Sequence, residues 1–261
     1  MFLFCSAARQ ACSVWVKNRV ASHYALETPT GRPDRNPLAQ SDKNAIRTNI
    51  LPLIANSPSR AISLQLASAL KNIISHDFPE RWPTLLEEIK RMLGSSEIRE
   101  VHAGCVAALE TVKAFRCETM RFVSCLNSNN LISLRFRQKS DHMTKIVEGL
   151  FPTLVSIAQQ MVQTTPSQAQ EIPTMLHLIL KTYKTSLVIN LSAHQQSAES
   201  LVPWGQLLFS IVNLSIPKEA VPEDEDERER CEWWKAKKWA FATLGRLFHR
   251  YAMSGRSRFN C

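Results

Sequence analysis

The residues best suited to chemistry in this 261-residue sequence form one string, Trp233-Trp-Lys-Ala-Lys-Lys-Trp239, directly after the acidic run Glu223-Asp-Glu-Asp-Glu-Arg-Glu-Arg230. Indole faces stack on nucleobases and ammonium groups neutralise phosphates. Trp233, Trp234 and Trp239 with Lys235, Lys237 and Lys238 therefore offer the parts of a single-strand platform. Helical geometry favours a plainer reading. Positions 233 and 237 share one face and 234 and 238 its neighbour, so some indoles pack between helices while the lysines flank them, in water or toward the acidic run.

Catalytic constellations are absent from the sequence. The seven histidines (23, 76, 102, 142, 177, 194, 249) form no HxxxH or HxxE pattern, so metal catalysis has no support. The seven cysteines (5, 12, 105, 117, 125, 231, 261) are scattered, odd in number and without a CxxC pair, which fits a reducing, intracellular compartment. Cys12 and Cys105 sit inside helical apolar patterns, where a free thiol is expected to behave as a small buried hydrophobe. With no Gly-x-Ser-x-Gly elbow and no GxxxxGK[ST] loop, neither a nucleophile nor a nucleotide cradle is available, so no enzymatic activity and no cofactor are expected.

The formal charge of +9 invites a phosphate-binding role. The basic residues are spread along the chain, however, and the densest charge run is mostly acidic, a pattern typical of a solvated surface. No apolar run reaches the roughly 18 residues of a spanning helix, so no membrane insertion is expected. The opening Met1-Phe-Leu-Phe-Cys-Ser-Ala-Ala lacks a basic start and is a poor secretory signal.

In the elements that hold these residues, apolar positions recur at three and four, and strand-like alternation is nearly missing. A first helix spans 7–26 with Ala8, Ala11, Val14, Trp15 and Asn18 in one stripe, ended by Pro29-Thr-Gly-Arg-Pro33. A second starts at Ser41 with Ile46, Ile50, Leu53 and Ile54 on one face, and Asn56-Ser-Pro58 stops it. A third starts near Ser59 and buries Ile62, Leu66, Ala69, Leu70, Ile73 and Ile74. A fourth opens at Pro79 through Leu85, Leu86, Ile89 and Leu93, and a fifth runs from Ser96 to Arg116 with Val101, Cys105, Ala108, Leu109 and Val112 inward. Ser41 to Pro79 and Ser59 to Ser96 are 38 and 37 residues apart, close to the ~40-residue period of HEAT-type arrays. Further pairs are read at 141–162 with 167–188, across the Thr164-Thr-Pro166 turn, and at 199–215 with 230–251. The expected fold is an all-α HEAT-repeat solenoid of four to five helix pairs. Such pairs bury their apolar faces only by stacking, which makes long surfaces for binding other proteins. The expected divisions are repeats over 1–116, an irregular insertion or linker at 117–139, and further repeats over 140–261 with an acidic loop at 222–230.

Two strings carry a family resemblance. His76-Asp-Phe-Pro-Glu-Arg-Trp-Pro-Thr-Leu-Leu86 resembles the segment between the second and third repeats of importin-β family nuclear transport receptors, and Ala11-Cys-Ser-Val-Trp-Val-Lys-Asn-Arg19 is similar to that family's first-repeat helix. Glu232-Trp-Trp-Lys-Ala-Lys-Lys-Trp-Ala240 is similar to the importin seven/eight branch, its fungal members included. The resemblance covers about 7–116 and 140–251. It gives Phe78, Pro79, Trp82, Trp233, Trp234, Lys235, Lys238 and Trp239 the standing of structural motif residues.

What the resemblance implies is a receptor that carries protein cargo through the nuclear pore and binds Ran in its GTP form. It points to the second helix of each early pair for Ran, with Lys17, Asn18, Lys71, Asn72, His76 and Lys113 as candidates, although any solvated helix face supplies such residues. It also implies cargo proteins, basic ones such as ribosomal proteins or histones among them, facing Glu223 to Glu229. Phe-Gly nucleoporins would sit between outer helices, and the receptor would reside in nucleus, cytoplasm and pore. The sequence departs from the family in three ways. The first helix and most of the C-terminal arch are missing, which suggests a piece of a longer protein. Residues 117–135 have no family counterpart and read as a retained intron, to be checked by transcript sequencing across 110–140. The chain is also basic where the family is acidic. A nucleic-acid-binding helical repeat protein and a HEAT scaffold subunit, such as a phosphatase regulatory subunit, are the competing readings, and fold alone does not separate them.

Overall fold

The computed structural model describes the backbone of residues 6–25, 34, 36–116, 130–163, 171–187, 192–216, 221–228 and 230–256, with side chains described throughout these except at 130–139 and 251–256. Among the described residues every regular element is a helix: α1 Ser6–His23, α2 Gln40–Ala55, α3 Arg60–Asp77, α4 Leu85–Leu93, α5 Ile98–Phe115, α6 Asn130–Gln163, α7 Ile172–Ser186, α8 Ala193–Gln196, α9 Ala198–Asn213, α10 Glu225–Arg228 and α11 Glu232–Arg256. The chain forms two compact units, Met1–Arg116 and Cys117–Cys261.

In the first unit α1, α3 and α5 pack in succession, while α2 lies on α3 and α5, and α4 on α5. The apolar period of α3 puts Leu70, Ile73 and Ile74 out of reach of water, and that of α5 does the same for Cys105, Ala108 and Val112. Ser59 caps α3, its side chain accepting from the Ile62 amide. Gly104 lets α5 approach α4 closely, because a Cβ there would stand 3.1 Å from the Leu93 side chain.

Three local expectations are corrected. On α1 the buried positions are Ser13 and Val20, whereas Trp15 is 65% exposed and Cys12 is exposed. Apolar residues fall all around this helix, so spacing alone does not choose the face that meets α3. On α2, Leu53 points to solvent while Leu51 and Lys43 are buried with Ile50 and Ile54. The fourth helix begins at Leu85 and not at Pro79. Residues 78–84 form a turn containing a cis Phe78–Pro79 bond. In it the Asp77 carbonyl accepts from the Arg81 and Trp82 amides at 2.7 and 2.9 Å, so the Trp82 amide reaches back five residues and not to the Phe78 carbonyl that a helix from Pro79 would offer it.

In the second unit α6 pairs with α7 and α9 with α11, α7 lies on α11 and α6 on α9, and short α8 bridges α9 and α6. The Tyr183 and Trp204 rings stack in parallel at 4.0 Å, with Phe151 edge-on to Trp204 at 5.8 Å. Ile146, Leu150, Ile179 and Leu208 close round them. Ser192 and Gln195 form a capping box on α8, and the Gln195 amide donates to the Ser186 hydroxyl at 2.9 Å, fixing α8 to the end of α7. α6 begins at Asn130, so a helix takes up the last part of the stretch expected to be irregular, as the strong helix formers Leu131, Leu134 and Arg135 permit. Residues 117–129, the Pro29-Thr-Gly-Arg-Pro33 loop and the Thr164-Thr-Pro166 turn lie outside the described residues.

Candidate protein-binding surfaces

The layer α1, α3, α5 holds all six residues that the resemblance nominates. Asn18 is exposed and Lys17 half-buried on α1; Lys71 and Asn72 are half-buried on α3, where exposed His76 follows one turn after Asn72. Lys113 on α5 is tied down, its ammonium 2.6 Å from the nearly buried Glu110 carboxylate. Among the described residues no side-chain hydrogen bond or ion pair joins any two of the six. The structure brings them onto successive helices and not into one cluster.

The ends of α1 and α3 are joined by a polar network that single-helix reasoning missed. The Tyr24 hydroxyl donates to buried Asp77 at 2.5 Å, and its ring stacks on His76 with centroids 6.2 Å apart. The Arg47 guanidinium lies 3.3 Å and that of Arg81 3.9 Å from the same carboxylate. Burial pushes the Tyr24 hydroxyl far above its ordinary pKa, and the hydrogen bond to Asp77 and its charge add to the effect. Partial desolvation of its ring lowers the His76 imidazole, Lys43 and Arg81 repel its charged form further, and Asp77 opposes both. The signal for this network is Asp77 inside the Asp-Phe-Pro-Glu-Arg-Trp string, which also holds Arg81, but Tyr24 and Arg47 lie far away in sequence.

The motif residues of the turn are structural. Phe78 and Trp82 are buried, Pro79 is half-buried, and the Trp82 indole donates to Glu88 at 3.0 Å. Those of α11 divide. Trp233 is buried and Trp234 is 46% exposed. Trp239 stacks on His177 and receives the ammonium groups of Lys184 and Lys181 at 4.6 and 5.7 Å from its ring centre. Burial lowers the Lys184 pKa, and the nearby charges of Arg246 and Lys238 lower it further. Lys235 pairs with Glu232 of its own helix at 2.8 Å, and Lys237 donates to the Val212 carbonyl. Burial raises Glu232, but Lys235 and His177 outweigh it and leave its pKa below the usual value.

Among the described residues no ion pair links the α11 lysines to the acidic run. Its backbone is held instead by Arg228, which donates to the Pro222 and Glu223 carbonyls at 3.1 Å each and reaches one carboxylate, that of Glu225, at 3.4 Å. Trp234, Phe241 and Phe248, seven apart on α11, form an exposed apolar stripe that the sequence reading did not single out. Among the described residues no group of three potential metal ligands occurs and no helix is long and apolar enough to cross a membrane.

Comparison with known proteins gives these surfaces their context. The exportin 1-like protein family model matches residues 59–216, more than half of the chain. The importin beta-like SAD2 homolog of Arabidopsis thaliana is 28% identical over 94% of this chain and 21% of its own length. Human importin-8 is 26% identical over 95% of this chain and 22% of its own. The chain thus spans about a fifth of the length of the curated relatives it matches. A solved structure of the exportin Cse1 in its cargo-free, cytoplasmic state superposes with a TM-score of 0.63 at 16% identity, covering 92% of this chain and 24% of that one, so the fold is that of a HEAT-repeat α-solenoid. With its helix pairs, its Phe78 to Trp82 turn and the family match over most of that array, the chain belongs to the exportin 1-like family of importin-β-type nuclear transport receptors.

Proposed function

We propose that this segment binds Ran in its GTP form through the α1, α3, α5 layer and takes part in carrying protein cargo through the nuclear pore, shuttling between nucleus and cytoplasm. The observation that carries the reading is the division of α3: its apolar face is fully buried, while Lys71, Asn72 and His76 lie off that core, leaving polar groups for a partner. Lys17 and Asn18 extend the surface along α1, and Lys113 limits it on α5 because Glu110 already holds its charge. Exposed acids at 223–227 suit basic cargo such as ribosomal proteins or histones, and exposed Leu53 on α2 suits a Phe-Gly nucleoporin contact. Ran and cargo would each select a different state of the array, so that one weakens the other. The role is one of binding and needs no catalytic group.

A pull-down of the chain with Ran loaded with GTP or GDP tests the reading. GTP-loaded Ran should be retained preferentially, and the double variant Lys71→Glu with Asn72→Ala should lose most of that retention while unfolding like the parent. Equal retention of both nucleotide forms would overturn it.

One observation favours a second reading, nucleic-acid binding: Lys181 and Lys184 lie over the Trp239 ring, and the charges of Lys238 and Arg246 fall near Lys184. That reading requires log affinity for single-stranded RNA to fall linearly with log salt. Failure to retain RNA at low salt removes it.

A further inference from the structure

Three cations in the first unit converge on a hollow that the proposed Ran surface does not use. A cavity of about 390 Å³ is lined by Gln40, Lys43 and Arg47 of α2 and by Arg81 of the turn before α4. Positions 40, 43 and 47 fall on one side of α2, and the turn brings Arg81 to them, its carbonyl accepting from Arg47 at 2.6 Å. The volume lies within the roughly 300–1,000 Å³ usual for small-ligand sites.

Lys43 is the telling residue. It is 4% exposed, yet among the described residues no carboxylate pairs with it. Its ammonium rests over the Tyr24 ring, 5.2 Å from the centre. A cation–π contact offsets only part of the cost of withdrawing an ammonium from water, so a buried lysine in this position calls for an anion. Among the described residues no carboxylate fills that place. Asp77, the carboxylate within the cluster, is buried behind the cations and already accepts from Tyr24, with Arg47 and Arg81 beside it. Asp42 and Glu80, the acids next in sequence to Lys43 and Arg81, are exposed. Among the described residues, the three cations of the lining and the one carboxylate paired with them, Asp77, leave two positive charges, the complement of a phosphoryl dianion. Two guanidinium groups and an ammonium are the side chains that recognise phosphate oxygens by charge-assisted hydrogen bonds.

We propose that this pocket binds a phosphoryl group, either inorganic phosphate or the phosphate of a phosphorylated side chain on a protein ligand. The inference does not depend on Ran binding, which involves the other layer of the unit.

The test is calorimetric titration of the 261-residue chain with three probes: inorganic phosphate, a phosphoserine peptide, and the same peptide without phosphate. Phosphate and phosphopeptide should bind and the bare peptide should not. Tighter binding of the phosphopeptide assigns the site to a protein ligand, and equal binding to free phosphate. Lys43→Met removes the buried charge and keeps the stem, so its thermal midpoint should match or exceed that of the parent while phosphate affinity falls by roughly tenfold or more, as expected for one charge-assisted contact. Arg81→Gln, at an exposed position, should weaken binding with the fold intact. No heat from either phosphorylated probe, or undiminished affinity in both folded variants, overturns the proposal.

Discussion

The turn between α3 and α4 and the tryptophan string of α11 both concentrate aromatic residues, yet one is closed and the other half open. In the turn, the Asp77 carbonyl gathers the amides of Arg81 and Trp82, and the irregular backbone turns both Phe78 and Trp82 inward. On α11 the backbone is regular, so consecutive residues diverge by a fixed angle: Trp233 goes in, Trp234 out, and Trp239 to the edge among lysines. Similar side chains thus serve packing in one place and leave a chemically varied surface in the other. Backbone geometry makes the difference.

The sharpest way to break this contrast is to remove the carboxylate under the turn. Asp77→Ala strands Arg47 and the Tyr24 hydroxyl, and should cost about 3–5 kcal/mol in urea unfolding, the loss typical of breaking a buried charge network. A midpoint equal to the parent's would mean that the turn is held by its aromatics alone. The next effect is internal to α11. Trp233→Ala should cost about 3 kcal/mol, the scale of a truncated core aromatic, whereas Trp234→Ala should stay within about 0.5 kcal/mol, as exposed sites do. Equal losses would refute the division of that helix into an inner and an outer face. Smaller still is Gly104→Ala, where the added methyl must displace Leu93; about 1–2 kcal/mol is expected, read by the same unfolding assay.

The smallest effect is on pH dependence, and it appears in both units. His76 and His177 are held below their ordinary value by burial, so between their lowered pKa values and about 6.5 the unfolded chain binds more protons than the folded one. Stability is therefore full above that window and falls as pH drops through it. Depressed Glu232 contributes a loss of the same sign at lower pH. His177→Gln should flatten the acid side of the stability profile, as measured by urea midpoints from neutral to acid conditions. An unchanged slope would place the titration elsewhere.

Much of this architecture was legible where periodicity is strong. The stripes of α3 and α5 name their own buried residues, because a clean three-four spacing leaves one choice of face. Spacing does not name the buried face of α1, because Val14, Trp15, Val16 and Val20 surround the helix, and only contact with α3 selects Val20 and Ser13. Pro79 permits an earlier start for α4 than the structure shows, because proline near a helix start is permissive and does not reveal that the Trp82 amide bonds back to Asp77. The Lys43 pocket and the Lys181, Lys184 and Trp239 contacts were beyond sequence reasoning for a common reason. Each joins residues from elements far apart in the chain, and no local spacing encodes such meetings.

Cys105 gives the first unit an internal clock. Its thiol is 1% exposed, and burial pushes its pKa up to about 12, so in the closed state it is both hidden and almost wholly protonated. Cys12, by contrast, is open to solvent on α1. Under a thiol-reactive reagent followed peptide by peptide in a mass spectrometer, Cys12 marks the start of exposure and Cys105 times each opening of the packing between α3, α4 and α5. Its labelling rate reads how often the interior of that unit comes apart, without denaturant and without altering the sequence.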